Sequence, residues 1–317
     1  MLQARALSSA RPPRLLVVGC GDVGMRVLRL LGRRFRVLAL TSSPARREAL
    51  RDAGAEPIVG DLDDPSSLRR LAGLAEAVLY LAPPPAAGHV DPRMRALLQA
   101  LSRRAPPRVI VYASTTGVYG DCAGALIDET RRLAPRTDRA RRRVDAESQL
   151  RTWARTHGVR ASLLRVPGIY APDRVGGRPQ DRVLRGTPAL RPEEDGYTNH
   201  IHADDLARAC LAALWRGKPQ RVAHASDDTD LKTGDFYDLV ADLCGLPRPH
   251  RIARSEAAQV FSAAQWSFLD ESRRLSNARL KRELRLRLRY PTVREGLHSG
   301  NERPLRTGLA AAPPDGG

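Results

Sequence analysis

The stretch Leu15-Leu16-Val17-Val18-Gly19-Cys20-Gly21-Asp22-Val23-Gly24 decides the fold of this 317-residue chain. Its beginning, Leu15–Gly19, is a short apolar run that is typical of a strand buried on both faces of a parallel sheet. Apolar residues then recur at helical spacing from Val23 to Leu31, and Gly32 ends that predicted helix. The glycines between them therefore form a turn that joins a strand to a helix.

The glycines of this turn have the spacing G-x-G-x-x-G. In such a turn Gly19 permits the tight bend, Gly21 lets a ligand approach the backbone, and Gly24 lets the helix pack closely on the strand. The free N–H groups and the positive end of the helix dipole favour an anion there. We therefore expect a dinucleotide whose diphosphate lies on Gly19, Gly21, Asp22, Val23 and Gly24. A glycine turn without a ligand is the alternative, and the position of this turn makes it the weaker one.

Short apolar runs alternate with amphipathic stretches through the first 165 residues, which predicts parallel strands joined by helical crossovers. The expected fold class is α/β, a Rossmann-type doubly wound parallel sheet with helices on both faces and a small C-terminal substrate subdomain. After the first strand we expect strands at Arg36–Thr41, Pro57–Gly60, Ala77–Ala82, Val109–Ser114 and Ser162–Val166. Helices are expected to begin at Ser43-Pro44 and Asp64-Pro65, to cover Pro92–Ser102 and Ala140–His157, and to be capped by Asp204 and Thr233.

The predicted division of the chain follows these patterns. Residues 1–13 are expected to be a flexible extension, and residues 14–168 with parts of 198–225 the Rossmann domain. The substrate subdomain is assigned to residues 169–197 and 226–298, because residues 171–200 are rich in glycine, proline and charge. The Ala/Pro/Gly-rich residues 299–317 are expected to be disordered.

Composition excludes several classes of protein. The formal charge of +18 comes almost entirely from arginine and is spread along the chain, and only 4% of residues are aromatic. A nucleic-acid site would need a basic patch with stacking aromatics, so no nucleic-acid partner is expected. The chain has no apolar run near 18 residues and no apolar secretory segment, and its four cysteines are scattered. We therefore expect a cytoplasmic protein without a membrane partner or a structural metal.

The end of the second predicted strand bears on the choice of cofactor. NAD selectivity usually needs an acidic residue there, but the sequence has Thr41 and Ser42, followed by Arg46 and Arg47. Hydroxyl and guanidinium groups suit a 2′-phosphate, so we expect NADP, with NAD as the alternative. The arginines could instead be ordinary solvated helix residues.

Four further motifs resemble the extended branch of the short-chain dehydrogenase/reductase superfamily, and the resemblance covers about Arg14 to Leu297. They are Gly60–Asp64, Ser114–Gly120, Leu164–Tyr170 and Asn199–Ala207. The pattern is most similar to a bacterial atypical subgroup of NAD-dependent epimerase/dehydratase proteins, through Leu81–Pro84, Ser276–Arg279 and Tyr290-Pro291.

The resemblance implies further cofactor contacts and an assembly. Asp61 and Leu62 would meet the adenine, and the segment with Pro167 and Ile169 would wrap the nicotinamide. The resemblance also implies cofactor contacts by Leu81, Ala82, Pro83 and Ser114. A homodimer is expected on the resemblance alone.

The catalytic residues of that superfamily are not all present. Its Tyr-x-x-x-Lys pair precedes a Glu that aligns with Glu147, which places Arg143 at the Lys position and Arg139 at the Tyr position. Arginine keeps the charge and can hold a ribose or phosphate, but its pKa above about 12 prevents it from acting as a base. Thr115 is at the position of the catalytic Ser/Thr, although its hydroxyl could equally bond its own loop backbone. Thr116 and Gly117 replace the acid pair of dehydratases, which argues against sugar 4,6-dehydration.

Substitute acids or bases are conceivable at Tyr119, Tyr170, His200, His202 and His89. We expect His202 to brace the Asp204–Asp205 segment and the tyrosines to pack in the core. The predicted function is an NAD(P)-dependent oxidoreductase or epimerase with a non-standard active site. Its substrate would be small, and sugar- or nucleotide-linked substrates fit the resemblance. The alternative is a catalytically inactive NADP(H) sensor.

Overall fold

Seven parallel strands form the central sheet of the computed structural model, which describes residues 12–298. The predicted N-terminal extension, apart from Pro12 and Pro13, and the predicted tail lie outside the described residues. In chain order the strands are β1 (Arg14–Val18), β2 (Arg36–Thr41), β3 (Ala55–Val59), β4 (Ala77–Tyr80), β5 (Val109–Thr115), β6 (Arg160–Val166) and β7 (Arg221–His224).

The order of the strands across the sheet is β3-β2-β1-β4-β5-β6-β7, and every neighbouring pair is parallel. The chain therefore winds outward in one direction from β1 and in the other from β4. In open α/β sheets, ligands bind beyond the carboxyl ends of the strands at such a switch point. The glycine turn follows β1 and lies at this place. The expected doubly wound Rossmann-type sheet is thus confirmed.

Helices cover both faces of the sheet because alternate strand residues point to opposite sides. Leu15 and Val17 pack with the helices over residues 22–31 and 203–216, whereas Leu16 and Val18 pack with those over residues 92–101 and 138–156. In chain order the helices are α1 (Asp22–Leu31), α2 (Arg47–Asp52), α3 (Pro92–Leu101), α4 (Asp138–Thr156), α5 (Gln180–Leu184), α6 (Ala203–Arg216), α7 (Thr233–Cys244), α8 (Ala257–Val260), α9 (Ala263–Leu269), α10 (Ala278–Arg282) and α11 (Val293–His298).

Within residues 12–298, four small two-stranded sheets lie in the C-terminal half or tie it to the central part. Three are parallel and the pair formed by Tyr197–Thr198 and Leu231–Lys232 is antiparallel. The pair formed by Gly168–Tyr170 and His200–His202 follows directly on β6 and leads into α6. The two remaining parallel pairs are Leu126–Ile127 with Arg274–Leu275, and Ala189–Leu190 with Arg251–Ile252.

Strand β7 was not predicted. The helix expected to begin at Asp64-Pro65 is present and is a 3-10 helix over Pro65–Leu71. Its turns are tightened by the Ser67 hydroxyl, which bonds the carbonyl groups of Asp61 and Asp64 and so competes with α-helical bonding.

Two predicted caps also differ from the structure. Ser43 does occupy the N-cap position before Pro44, as expected, although its side chain makes no capping hydrogen bond. His202, not Asp204, caps α6, because its Nδ1 accepts a bond from the Asp204 N–H. Thr233 is the first residue of α7, and its hydroxyl donates to the Gly196 carbonyl instead of capping the helix.

Candidate functional site

Packing explains each glycine of the turn after β1 differently. Gly19 has a φ of +83°, and a Cβ placed on it would lie 2.4 Å from the Ala82 backbone nitrogen. A Cβ on Gly24 would lie 3.0 Å from the Sγ of Cys20, so this glycine lets α1 approach the sheet. A Cβ on Gly21 meets nothing within 4 Å, and Gly21 is exposed. The turn is therefore closed behind Gly19 and Gly24 and open at Gly21, as an approaching diphosphate requires.

The first turn of α1 also contains a carboxylate, Asp22, which would repel a phosphate if it were unpaired. Two arginines pair with it: Arg26 Nε lies 3.2 Å from both carboxylate oxygens, and Arg174 Nη1 lies 3.0 Å from Oδ2. Arg26 is only 4% exposed and also bonds Asp173 and Asp204. Burial alone would lower the pKa of Arg26, but its hydrogen bonds to these carboxylates raise that pKa above its ordinary value. The side chain of Val23, the next residue of α1, is half-buried.

The end of β2 places Arg46 at the glycine turn. Its Nη2 donates to the Cys20 carbonyl over 2.7 Å, although 26 residues separate the two in sequence. Arg47 is exposed at the start of α2, and Ser42 is exposed. The Thr41 hydroxyl exchanges hydrogen bonds with the backbone of Ser43 inside the loop. Of the two arginines, Arg46 is thus the one beside the candidate cofactor site.

The segment after β3 continues along this end of the sheet. Asp61 is exposed, and its carboxylate accepts a bond from the Asp63 N–H over 2.9 Å. Leu62 is half-buried and packs on the core behind it. Asp63 pairs with Arg93, which also donates to the Pro83 carbonyl. These contacts tie the segment after β3 to the loop after β4.

The loop after β4 is held against the sheet on both sides. The N–H of Leu81 donates to the Val18 carbonyl over 2.7 Å, and the backbone of Ala82 fills the space beside Gly19. On the other side, Arg143 Nη1 donates to the Ala82 carbonyl over 3.3 Å and to the Tyr112 hydroxyl over 2.9 Å.

The side chains of the two predicted catalytic arginines lie in different parts of the protein. Arg143 is 7% exposed and is turned into the protein, where its guanidinium lies 5.4 Å from the Tyr112 ring. Arg139 is exposed and lies 5.5 Å from the ring of Phe268, itself 66% exposed in α9. Arg143 thus braces the loop after β4, whereas Arg139 contacts the C-terminal half of the chain.

Thr115 ends β5 with a half-buried side chain. Its Oγ1 accepts a bond from the Gly117 N–H over 3.3 Å, which is the bond to the loop backbone that the sequence left open as an alternative. Its neighbour Ser114 is buried and donates to Glu147 over 2.6 Å. Pro167 and Ile169 are both half-buried at the carboxyl end of β6. The site residues after β1, β2, β3, β4, β5 and β6 therefore all follow carboxyl ends of strands in one sheet.

A buried polar network behind Thr115 was not predicted. Glu147 accepts two bonds from Arg165, and Arg165 Nη1 donates to the Tyr119 hydroxyl over 2.6 Å. The same hydroxyl lies 2.6 Å from Nε2 of His224 on β7. The polar identity of Glu147 and Arg165 inside regular elements was the only signal in the sequence for this network.

Four of the five substitute acid–base candidates are engaged in packing. Burial raises the pKa of Tyr119 to about 12, against the opposing effect of Arg165. Burial also raises the pKa of Tyr170, whose hydroxyl donates to the Thr292 carbonyl. His200 stacks on Phe236 with ring centroids 3.9 Å apart, and burial lowers its pKa to about 3. His202 caps α6, and burial lowers its pKa as well. Unlike these four, His89 is exposed.

Within residues 12–298, no helix is long and apolar enough to cross a membrane. No group of three or more His, Cys, Asp or Glu residues in this part of the chain could hold a metal ion.

Comparisons with known proteins agree with this geometry. The profile of the NAD dependent epimerase/dehydratase family matches residues 15–224. Protein YeeZ of Escherichia coli K12 is 27% identical over 250 residues, covering 74% of this chain and 85% of YeeZ. A conserved protein of unknown function from Silicibacter pomeroyi DSS is 30% identical in its solved structure, with a TM-score of 0.75, covering 92% of this chain and 98% of the other.

Several structural relatives were solved with ligands bound. One of them is a double mutant of DesIV, a dTDP-glucose 4,6-dehydratase from Streptomyces venezuelae, with NAD and DAU bound. The two structures superpose with a TM-score of 0.72 at 20% identity, over 91% of this chain and 97% of DesIV, which shows a shared fold. The resemblance to the extended short-chain dehydrogenase/reductase superfamily is thus confirmed, and this chain belongs to the NAD dependent epimerase/dehydratase family.

Proposed function

We propose that the chain binds NAD(P) on the glycine turn after β1 and acts as an oxidoreductase or epimerase with a non-standard active site. The observation that carries the proposal is the contrast among the three glycines. A Cβ on Gly19 or Gly24 would crowd neighbouring atoms, whereas a Cβ on Gly21 would have no neighbour within 4 Å. A turn that served packing alone would have no need of a bare backbone at Gly21. Family membership supports the same conclusion.

The residues around the turn fit each part of the cofactor. Backbone N–H groups of the first turn of α1 would hold the diphosphate, and Arg46 with the Thr41–Ser42 segment would meet the adenosine ribose. A bound nicotinamide would accept a hydride from the substrate and could return it. Asp61 and Leu62 would lie near the adenine, and the nicotinamide end would be lined by Leu81, Ala82, Pro83, Ser114, Pro167 and Ile169.

We propose NADP as the preferred cofactor because of Arg46. Its guanidinium lies beside the glycine turn, and the sequence has no acid at the end of β2 to bond a free 2′-hydroxyl. A charge-assisted bond to a 2′-phosphate contributes about 1.5–3 kcal/mol.

Titration of intrinsic tryptophan fluorescence with NADPH and NADH tests this preference. Arg46→Ala should weaken NADPH binding by about 10-fold or more and leave NADH binding nearly unchanged. Arg47→Ala, one residue further along, is the matched control and should change neither affinity. Equal losses for both cofactors in Arg46→Ala would contradict a 2′-phosphate contact. Failure of wild-type protein to bind either cofactor below millimolar concentration would overturn the proposed function.

Thr115 is the residue we propose to contact the reacting hydroxyl or carbonyl. Its half-buried position at the end of β5 leaves it at the same end of the sheet as the loop that Arg143 braces. Arg143 would act as a positioning residue, and Arg139 would offer a positive charge to an anionic part of the substrate. Thr115→Ala should reduce turnover, and Thr115→Ser, which keeps the hydroxyl, should restore it. Unchanged turnover in Thr115→Ala would show that the hydroxyl takes no part in the reaction.

A sugar nucleotide is the substrate class that the relatives favour, since DesIV is named for dTDP-glucose. Residues 169–197 and 226–298 would form the substrate subdomain over the Rossmann domain of 14–168 and parts of 198–225. The absence of an acid pair at Thr116 and Gly117 favours oxidoreduction or epimerisation over 4,6-dehydration. A homodimer is part of the proposal, and sedimentation velocity would test it.

The second candidate function is a catalytically inactive NADP(H) sensor. It is favoured by the placement of Arg143, which is turned into the core and cannot exchange a proton. Assays with a panel of sugar nucleotides and small carbonyl compounds distinguish the enzyme from the sensor. Turnover is followed at the absorbance band of the reduced nicotinamide. Cofactor binding without turnover of any compound supports the sensor.

A further inference from the structure

An exposed histidine and a carboxylate lie side by side near the first turn of α4. His89 Nδ1 is 3.0 Å from Asp138 Oδ1, and the two side chains are 68% and 51% exposed. Because the carboxylate can only accept, Nδ1 donates, and in the neutral imidazole Nε2 keeps its lone pair. Nε2 makes no hydrogen bond within residues 12–298 and the side chain is 68% exposed, so a ligand can reach this atom.

The loop that carries His89 is anchored by a second residue of the same helix. Arg142, one turn after Asp138, is 5% exposed, and its Nη1 donates to the Gly88 carbonyl. Gly88 has a φ of +84°, a conformation that suits glycine. A buried arginine thus fixes the turn immediately before His89, while Asp138 holds the imidazole ring.

The anchored loop connects the region of the glycine turn with the first turn of α4. It starts at Leu81, which bonds the end of β1 beside the glycine turn. Near its other end, the first turn of α4 packs close to Thr115: a Cβ built on Gly117 would lie 3.9 Å from the Cβ of Ala140, and the Gly117 N–H bonds the Thr115 hydroxyl. The loop therefore runs from the glycine turn toward the part of α4 that packs near Thr115, along the carboxyl end of the sheet.

We propose that His89 is the group that exchanges a proton with the substrate, and that Asp138 is its positioning residue. The inference rests on the proposed function. In the oxidising direction the substrate O–H bond would break and its proton would go to His89 Nε2. A bound oxidised nicotinamide would supply the acceptor for the hydride of the adjacent C–H bond, so that a C=O bond is left. The other four candidates are held by packing or capping, as described above.

Imidazole NMR spectra test the placement of His89 without knowledge of the substrate. The chain has seven histidines, and the His89→Gln variant identifies the signals of His89. Addition of NADPH should shift the His89 ring signals, and NADP⁺ should shift them to a different position. The signals of His250, which is exposed beyond α7, serve as the control and should stay in place.

Two other outcomes separate the inference from the function it rests on. If the backbone amides of Gly21 and Val23 shift with NADPH while the His89 ring does not, the cofactor binds and the role of His89 is overturned. If neither the amides nor the ring shift, the proposed function fails, and the inference fails with it.

The nitrogen shifts also report the role of Asp138. Asp138→Asn should move His89 from the Nδ1–H pattern toward the Nε2–H pattern, because the charge that favours a proton on Nδ1 is lost. Arg141→Gln is the control, since it removes the other ion-pair partner of Asp138 and leaves the His89 contact. An unchanged pattern in Asp138→Asn would overturn its positioning role.

Kinetics give the second test, with dTDP-glucose and UDP-glucose as the probes. For a probe that the wild type converts, His89→Ala should lower kcat about 10²-fold, the usual worth of a general acid–base group, with NADPH affinity unchanged. Added imidazole should recover part of the loss, which a purely structural role would not permit. Full turnover in His89→Ala would overturn the proposal. The ring spectra decide the inference whether or not either probe is converted.

Discussion

Two alanine substitutions in the glycine turn should affect different properties. Gly19→Ala should lower the stability of the fold, and Gly21→Ala should weaken cofactor binding. Gly19→Ala places a methyl group 2.4 Å from the Ala82 nitrogen at a φ of +83°. The left-handed conformation costs about 1–2 kcal/mol for a residue with a Cβ. The forced shift of packed backbone costs about 1–3 kcal/mol more. The free energy of unfolding should therefore fall by about 2–5 kcal/mol.

Gly21→Ala is the matched partner of that change. Its φ of −80° suits any residue, and its Cβ would meet nothing within 4 Å, so the free energy of unfolding should change by less than about 0.5 kcal/mol. The methyl group would instead stand where we place the diphosphate. NADPH affinity should fall by about 10-fold or more, which is at least about 1.4 kcal/mol of binding free energy.

Urea unfolding and NADPH titration of the two variants and the wild type provide the assay. Gly19→Ala should unfold at lower urea concentration, and Gly21→Ala should unfold with the wild type but bind poorly. A Gly19→Ala variant as stable as the wild type would refute the close contact with Ala82. Wild-type affinity in Gly21→Ala would refute a diphosphate over Gly21, and with it the proposed cofactor site.

Three further predictions concern buried polar groups. Arg165→Met leaves Glu147 buried without its charged partner, with only the Ser114 hydroxyl bonded to it, and should cost about 3–5 kcal/mol in urea unfolding. Part of this loss should return when Glu147→Gln is added, and strict additivity would contradict the pairing. Burial lowers the pKa of His224 to about 4, below the unfolded value near 6.5, so the unfolded chain takes up the proton first as the pH falls. Stability should drop between about pH 6.5 and 4, by a contribution on the order of 3 kcal/mol, and urea unfolding of His224→Gln should show a shallower drop; parallel curves would exclude this contribution. Asp205→Asn weakens bonds to the backbone of Arg289 and Tyr290 and should cost about 1.5–3 kcal/mol, whereas Asp242→Asn, in an exposed pair with Arg248, should cost less than about 1 kcal/mol. Equal urea midpoints for these two variants would show that Asp205 does not hold that segment.

Most of the central sheet was predictable because its signal is local. The first six strands are built around short apolar segments, and a sheet covered on both faces needs apolar side chains in both directions. Strand β7 was missed because Arg221–His224 has four residues with a charged and a polar end. Its backbone joins the sheet through β6, a partner that its own composition does not reveal.

The candidate site was predictable only in part. The spacing of the glycines and the absence of an acid near Thr41 can be read along the chain. The direction of the Arg143 side chain cannot be read from the sequence, because a residue at that position of α4 could face the cofactor or the core. It faces the core because Tyr112 and the Ala82 carbonyl offer its guanidinium a hydroxyl and a backbone acceptor.

The order of residues was enough to establish a strand–turn–helix unit and a parallel α/β sheet, and to predict a backbone suited to a diphosphate. These features arise from contacts between neighbours in sequence and from the alternation of apolar residues. Tertiary packing alone decided which polar groups meet: Arg46 with the Cys20 carbonyl, His89 with Asp138, and Tyr119 with His224. Such pairs join separate loops and strands, and their partners are set by how elements distant in sequence come together in space.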